Sequence, residues 1–90
     1  MREKEIEKTM VDETRKRGGM ALKLTSPSSS GLPDRMLLFP RGRVLFVELK
    51  APGKKTKKLQ DVVIGTLRSL GFRVEVVDSK KRAKEVLNDL

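Results

Sequence analysis

Neither cysteine nor histidine occurs among the 90 residues of the chain. The absence of cysteine excludes a disulfide scaffold and a thiolate metal site, and the absence of histidine excludes an imidazole base and an ordinary zinc site. Tryptophan and tyrosine are also absent, so the three phenylalanines are the only aromatic residues. Any catalysis must therefore use carboxylates, lysines and hydroxyl groups, and an oxygen-liganded metal is the expected cofactor.

Long hydrophobic runs are missing as well. A wholly apolar stretch such as residues 44–47 is four residues long, far short of the ~20 residues that span a bilayer. The amino end, MREKE, lacks the apolar stretch of a signal peptide. These features predict a cytoplasmic protein that forms a single domain over residues 1–90 and has no membrane partner.

Positive charge is what the chain has in excess. Its 21 Lys and Arg residues against 12 Asp and Glu give a formal net charge of +9, which favours a nucleic-acid partner through counterion release and electrostatic steering. Between residues 14 and 60, twelve basic residues accompany only two acids, Asp34 and Glu48. Two carboxylates kept inside a basic segment are the first indication of a functional site.

The hydrophobic periodicity predicts an α/β domain with the element order α-β-β-β-α-β-α. Helices are predicted over residues 3–17, over 57–70 with Thr56 as cap, and after the cap Ser79, and strands over 20–25, 34–39, 43–50 and 72–77. The apolar stripe of the second helix is predicted to be Leu59, Val63, Leu67 and Leu70. Residues 26–33 are a loop by composition.

The strand at residues 43–50 is predicted to be central in a mixed sheet flanked by helices. Its residues 44–47 are apolar at every position, as in a strand covered on both faces. Pro40-Arg41-Gly42 reads as a hairpin turn that joins it to the preceding strand, with the glycine in the left-handed region. The segment 43–77 is expected to be a right-handed parallel crossover.

The hairpin register brings the two isolated carboxylates together. If Phe39 pairs with Arg43, Asp34 lies opposite Glu48, with their Cβ atoms ~4.5–5.5 Å apart. Like charges at that distance destabilise a sheet, and a divalent cation between them removes the penalty. Lys50 emerges on the same face as Glu48, and the carbonyl of Leu49 can supply a further oxygen ligand. These are the groups that metal-assisted phosphodiester hydrolysis requires.

A structural interpretation of the same residues has to be weighed. Pro33-Asp34 alone is more often a turn, and a Glu-x-Lys sequence is usually a solvated strand face. Glu48, however, follows an apolar run, where an unpaired carboxylate is costly to bury. The combination across one predicted hairpin therefore favours a catalytic site.

Gly31-Leu32-Pro33-Asp34-Arg35, the segment FVELKAPG at 46–53 and Gln60 together resemble the VRR-Nuc (virus-type replication-repair nuclease) family of the PD-(D/E)xK superfamily. The resemblance implies a restriction-endonuclease-like core and Mg²⁺ or Mn²⁺ as cofactor. It assigns Asp34 and Glu48 as catalytic metal ligands, Lys50 as the catalytic lysine and Gln60 as the glutamine that supports the site. It also places a first-helix glutamate near the metal; Glu3 and Glu7 both face inward, and we favour Glu7 because it lies deeper in the helix.

Further cations are candidates for contact with DNA phosphates. They are Lys23, Arg35, Lys54, Lys55, Lys57 and Lys58, and for each lysine after residue 53 a solvated surface is an equally good interpretation. The sequence Gly53-Lys54-Lys55-Thr56 lacks the glycine and residue order of a Walker A loop, so no nucleotide cofactor is expected.

The family resemblance also implies the substrate. Stand-alone members resemble homodimers that cut four-way (Holliday) junctions, so the expected function is metal-dependent, structure-specific cleavage of branched double-stranded DNA by a homodimer. The alternatives are a less selective duplex or flap nuclease and a non-catalytic basic DNA-binding module. The distribution of the family suggests a phage or mobile-element origin, and hence action in the host cytoplasm.

Overall fold

The computed structural model describes residues 1–25 and 31–90. Its elements are α1 (Glu3–Lys16), β1 (Met20–Lys23), β2 (Arg35–Phe39), β3 (Arg43–Leu49), α2 (Lys58–Ser69), β4 (Arg73–Val77) and α3 (Lys80–Asn88). The predicted α-β-β-β-α-β-α order is confirmed. The first strand ends two residues earlier than predicted, and residues 26–30 of the predicted loop lie outside the described residues.

The four strands form one mixed sheet in the order β1-β2-β3-β4. The first three are antiparallel to their neighbours, and β3 pairs with β4 in parallel, as a crossover through α2 requires. Phe39 pairs with Arg43, so the predicted hairpin register is confirmed. Gly42 adopts the predicted left-handed conformation at φ 71°, and Arg41 before it unexpectedly does the same at φ 71°.

One face of the sheet is covered by α1 and α3 and holds the main hydrophobic core. Strand residues such as Leu45 and Val47 are fully buried there against Ile6 and Met10 of α1. Helix α3 contributes its own apolar face: Ala83, Val86 and Leu87. As predicted, Ser79 caps α3, because its Oγ accepts a hydrogen bond from the Arg82 N–H at 3.0 Å.

Helix α2 lies on the opposite face and packs mainly against β4. Ile64 is its buried residue, above the equally buried Val74. The predicted stripe is wrong in part, because Leu59 and Leu70 are 49% and 67% exposed. The predicted cap is also wrong: the N-cap position is Lys57. The Thr56 hydroxyl instead donates to the Asp61 carboxylate.

The strands beside β4 leave an apolar surface next to α2, which we call the open sheet face. The pairing register and the alternation of side chains put six residues on it: Met20, Leu22, Met36, Leu38, Val44 and Phe46. Met20 is exposed and the other five are half-buried. The predicted mixed sheet flanked by helices is confirmed, and on the α2 side of the central strand Val44 and Phe46 are half-buried rather than fully buried.

Within the described residues, no helix is both long and apolar enough to cross a membrane.

Gly31 determines how closely the segment before β2 approaches α2. It has φ 77°, and a Cβ atom there would lie 2.7 Å from the Leu59 carbonyl oxygen. We expect Gly31→Ala to lower the free energy of unfolding by about 2 kcal/mol or more, since the left-handed backbone and the contact both oppose a side chain. Urea denaturation followed by circular dichroism measures the loss.

Gly65 provides the matched control for that substitution. It lies inside α2, and a Cβ atom there would meet nothing within 4 Å. Gly65→Ala should therefore raise the free energy of unfolding by about 0.5–1 kcal/mol through helix propensity. Equal effects of the two substitutions would contradict the close approach of residue 31 to α2.

Candidate active site

The strand register places Asp34 and Glu48 opposite each other. Arg35 pairs with Val47 at the end of the hairpin, and one further step brings residue 34 level with residue 48. The Leu49 N–H donates to Asp34 Oδ2 at 2.8 Å. This bond fixes the Asp34 carboxylate at the end of β3, where the sequence analysis expected it.

Glu48 is a carboxylate almost removed from solvent, with 3% of the residue exposed. Its Oε2 accepts a hydrogen bond from Gln60 Nε2 at 2.7 Å and lies 3.2 Å from Lys50 Nζ. Its other oxygen, Oε1, is buried and has no hydrogen-bond partner in the described part of the chain. A buried carboxylate oxygen without a donor is costly, and a proton, a water molecule or a cation at this position would remove that cost.

The pKa of Glu48 reflects the same lack of compensating groups around its carboxylate. Burial first, and the neighbouring charge of Asp34 second, raise the pKa of Glu48 to about 7, although the Lys50 ammonium acts in the opposite direction. The two carboxylates thus repel each other across the hairpin. One lysine does not neutralise the pair.

Gln60 connects Glu48 to the amino end of α2. Its side-chain amide donates to Glu48, and its Oε1 accepts from the Lys57 N–H at 2.8 Å. A single side chain therefore orients one oxygen of the buried glutamate and satisfies one of the free backbone donors that begin the helix. The family resemblance gave Gln60 a supporting role, but it did not indicate this second bond.

The predicted cations separate into two groups. The first is Lys50, whose side chain is 13% exposed and contacts Glu48 directly. The second consists of Lys54, Lys55, Lys57 and Lys58, all exposed in the segment between β3 and the first turn of α2. No ion pair is formed by these four lysines with any described residue, so their charges face solvent beside the site.

Glu7 is not brought together with the carboxylate pair. Its Oε2 accepts from Arg35 Nε at 3.0 Å, and Arg35 also donates to the Ala21 carbonyl. Arg35 precedes Leu37 by two residues and shares its sheet face, which is the face covered by α1. The ion pair thus lies on the other side of the sheet from Glu48, and the role of Glu7 as a metal ligand stays a prediction.

Two of the predicted DNA contacts occupy that same α1 face. Arg35 is committed to Glu7 and Ala21, and Lys23 is its register partner on β1. Lys23 is exposed, and it lies on the opposite sheet face from Glu48. The pairing of Arg35 with Glu7 was not predicted, because nothing in the spacing of residues 7 and 35 indicates a contact.

The donor set suits a hard divalent cation. Within residues 1–25 and 31–90, no three His, Cys, Asp or Glu side chains form a group that could hold a metal ion, so the site offers two carboxylates. Mg²⁺ is characteristically held by one or two carboxylates together with water and substrate phosphate oxygens. The unsatisfied Glu48 Oε1 and the repulsion from Asp34 are the two observations that a bound cation would relieve.

Comparisons with known proteins agree with this architecture. A solved structure described as "VRR_NUC domain" superposes with a TM-score of 0.88 at 30% sequence identity, over 96% of this chain and 94% of that one. The phage protein named "Putative nuclease p44", from Acyrthosiphon pisum secondary endosymbiont phage 1, is 46% identical over 80 residues, which are 89% of this chain and 86% of the relative. The family model described as VRR-NUC domain matches residues 2–81. The chain therefore belongs to the VRR-NUC domain family.

Proposed function

We propose that this protein is a divalent-metal-dependent endonuclease that hydrolyses phosphodiesters of branched double-stranded DNA as a homodimer. Its membership of a nuclease-domain family supports the reaction class. The observation that carries the proposal is the pair of Asp34 and the buried Glu48, in which Glu48 Oε1 has no donor in the described residues. A purely structural carboxylate pair would be expected to satisfy that oxygen.

Asp34 and Glu48 would hold Mg²⁺ or Mn²⁺, with the Leu49 carbonyl as a further candidate ligand. When bound, the metal lowers the pKa of water and stabilises the charge that develops on the scissile phosphate. The protein contributes position: the Leu49 N–H holds Asp34, and the Gln60 amide holds Glu48. The ligand oxygens are thus fixed before DNA binds, which reduces reorganisation during the reaction.

Lys50 has the contact expected of a catalytic lysine. Its ammonium is 3.2 Å from Glu48 Oε2 and largely shielded from solvent. From this position it can hydrogen-bond the attacking water or offset negative charge on the phosphate. The four exposed lysines after β3 would hold the DNA backbone on either side of the cut.

The open sheet face supports the homodimer. It presents six apolar side chains without a charge, in a chain whose net charge is +9. DNA phosphates gain nothing from such a surface, whereas a second copy of the same chain can bury it without opposing charges.

Two-fold symmetry supports the choice of branched DNA. A dimer through the open sheet face would carry two copies of the Asp34 and Glu48 pair, which project from that same side of the sheet. Two related sites match the two symmetric strands of a four-way junction. A duplex or flap nuclease needs one site, and a DNA-binding module needs none, so substrate preference separates these alternatives.

Cleavage of an end-labelled four-way junction and its matched linear duplex tests the reaction. With Mg²⁺ we expect paired, symmetric nicks on the junction, and none in EDTA. Asp34→Asn should lower the rate by at least about 100-fold because it removes a ligand charge, and Lys50→Ala by about 100-fold or more. Lys84→Ala, an exposed change on α3, is the control. Wild-type cleavage by folded Asp34→Asn protein would contradict the assignment.

The free energy of unfolding provides a test of the metal site that does not depend on activity. Because the folded pKa of Glu48 is raised to about 7 from an ordinary 4.5, the folded state retains this proton while the unfolded chain releases it. In EDTA the stability contributed by this group is therefore lost as pH rises from about 4.5 to about 7. Glu48→Gln should avoid this loss, which is on the order of 3 kcal/mol.

Urea denaturation of both proteins at pH 4.5, 6 and 8 measures this effect. We expect Glu48→Gln to gain stability relative to wild type as pH rises, and Mg²⁺ to stabilise wild type at pH 8 but not the variant. A stability difference independent of pH would contradict the burial of an unneutralised carboxylate. Equal stabilisation of both proteins by Mg²⁺ would contradict a metal site at Glu48.

Sedimentation equilibrium tests whether the open sheet face forms the dimer interface. Wild-type protein should have about twice the monomer mass of 10.2 kDa. The Met36→Lys variant should be monomeric, because a lysine on the apolar face adds a buried charge to the interface. Val62→Lys, an exposed apolar position on α2, is the matched control and should stay dimeric. Circular dichroism verifies that each variant is folded, and a monomeric wild type would contradict the homodimer.

A further inference from the structure

The end of the molecule away from the carboxylate pair carries three arginines in and beside the hairpin turn. Gly18, at the end of α1, approaches the hairpin turn so closely that a Cβ atom there would lie 3.7 Å from Pro40 Cγ. Arg17 and Arg43 line one cavity, and Arg41 is at the tip of the same turn. We call Arg17, Arg41 and Arg43 the hairpin cluster.

Local contacts hold two of these guanidinium groups in place. Arg43 Nε donates to the Pro40 carbonyl at 3.1 Å, which leaves its two terminal nitrogens without a partner in the described residues. Arg17 donates to Glu13 and to the Asn88 side chain. Among the described residues, Glu13 is the acidic side chain that forms an ion pair with the cluster, and it also pairs with Lys16. The three arginines therefore outnumber the acidic side chain paired with them.

Arg41 is the unusual member. It is the one non-glycine residue with positive φ in residues 1–25 and 31–90, at φ 71°, ψ 22°. A side chain in this region is strained, and glycine would relieve the strain. Arg41 forms no hydrogen bond or ion pair with a described residue, so no contact within the fold explains why an arginine occupies the strained position.

The chemistry of the cluster differs from that of the lysine segment. The segment between β3 and α2 presents flexible ammonium groups, whereas the hairpin cluster presents planar guanidinium forks, which bind phosphate oxygens in bidentate fashion. Strand β3, from Arg43 to Leu49, separates the two groups. At ~3.3 Å per residue the strand spans about 20 Å from Arg43 to its active-site end, a length of roughly six base pairs along a duplex.

We propose that the hairpin cluster is a second phosphate-binding site, which holds the backbone of duplex DNA about 20 Å from the site of cleavage. The inference rests on the proposed function in taking DNA as the substrate. The phosphates come from one of two sources, the continuation of the cleaved duplex or a second arm of a branched substrate. In either case the cluster fixes the direction in which DNA leaves the active site.

DNA binding by the double variant Arg41→Gly/Arg43→Ala tests the proposal. An Asp34→Asn background in EDTA prevents cleavage, and Lys80→Ala/Lys84→Ala, which removes two exposed charges from α3, is the charge-matched control. We expect about tenfold weaker binding to a four-way junction and a salt-dependence slope smaller by about 2. Affinity and slope equal to those of the control would overturn the proposal.

Two linear duplexes distinguish the sources of the phosphates. A hairpin-closed duplex shorter than about six base pairs cannot reach both groups, whereas one of about 20 base pairs can. If the double variant loses affinity for both the junction and the long duplex, the bound phosphates belong to the continuation of the cleaved duplex. If it loses affinity for the junction alone, they belong to a second arm. Cutting is assayed separately in proteins with Asp34 intact, so an absence of any cleavage would overturn the nuclease and leave the cluster standing.

Arg41→Gly alone separates a functional role from a structural one. Because glycine relieves the left-handed strain, the melting temperature should rise by about 2–6 °C. The affinity for the junction should nevertheless fall about threefold or more. A more stable variant with unchanged affinity would remove Arg41 from the cluster and overturn the proposal.

Discussion

The repulsion between Asp34 and Glu48 is the constraint on which the site depends. The hairpin register brings two carboxylates together, and the core and Gln60 keep Glu48 out of solvent. Neither group can move away, because the Leu49 N–H holds one and the sheet holds the other. The raised pKa of Glu48 expresses the free energy stored in this arrangement, and a bound cation is the economical way to release it.

Gln60 extends that constraint to the rest of the fold. Its amide group joins Glu48 to the backbone at the start of α2, so the helix and the carboxylate have a common fixed point. The exposed lysines lie in the segment that ends at this point. A change in the position of α2 would therefore move both a carboxylate oxygen of Glu48 and the exposed lysines that precede the helix.

The carboxylate pair could be predicted from the sequence, because its position depends on the local strand register. The three-residue turn after Phe39 determines the pairing of every residue back to Asp34, and the alternation of β3 puts Lys50 on the face of Glu48. What could not be predicted depends on tertiary packing. The buried face of α2 is set by its placement over β4, so Ile64 rather than Leu59 is covered, and the partner of Glu7 is 28 residues away on β2.

Three features of this protein cost it stability. Glu48 is a buried carboxylate with an unsatisfied oxygen, Arg41 is a strained arginine, and the open sheet face exposes apolar side chains to water. None of the three is required by the α1 and α3 core, which satisfies its own polar groups, as the Thr14 hydroxyl bonded to the Met10 carbonyl shows. A small domain has little stability to spare. Retaining three such features is therefore best explained if a cation, DNA and a second copy each relieve one of them on binding.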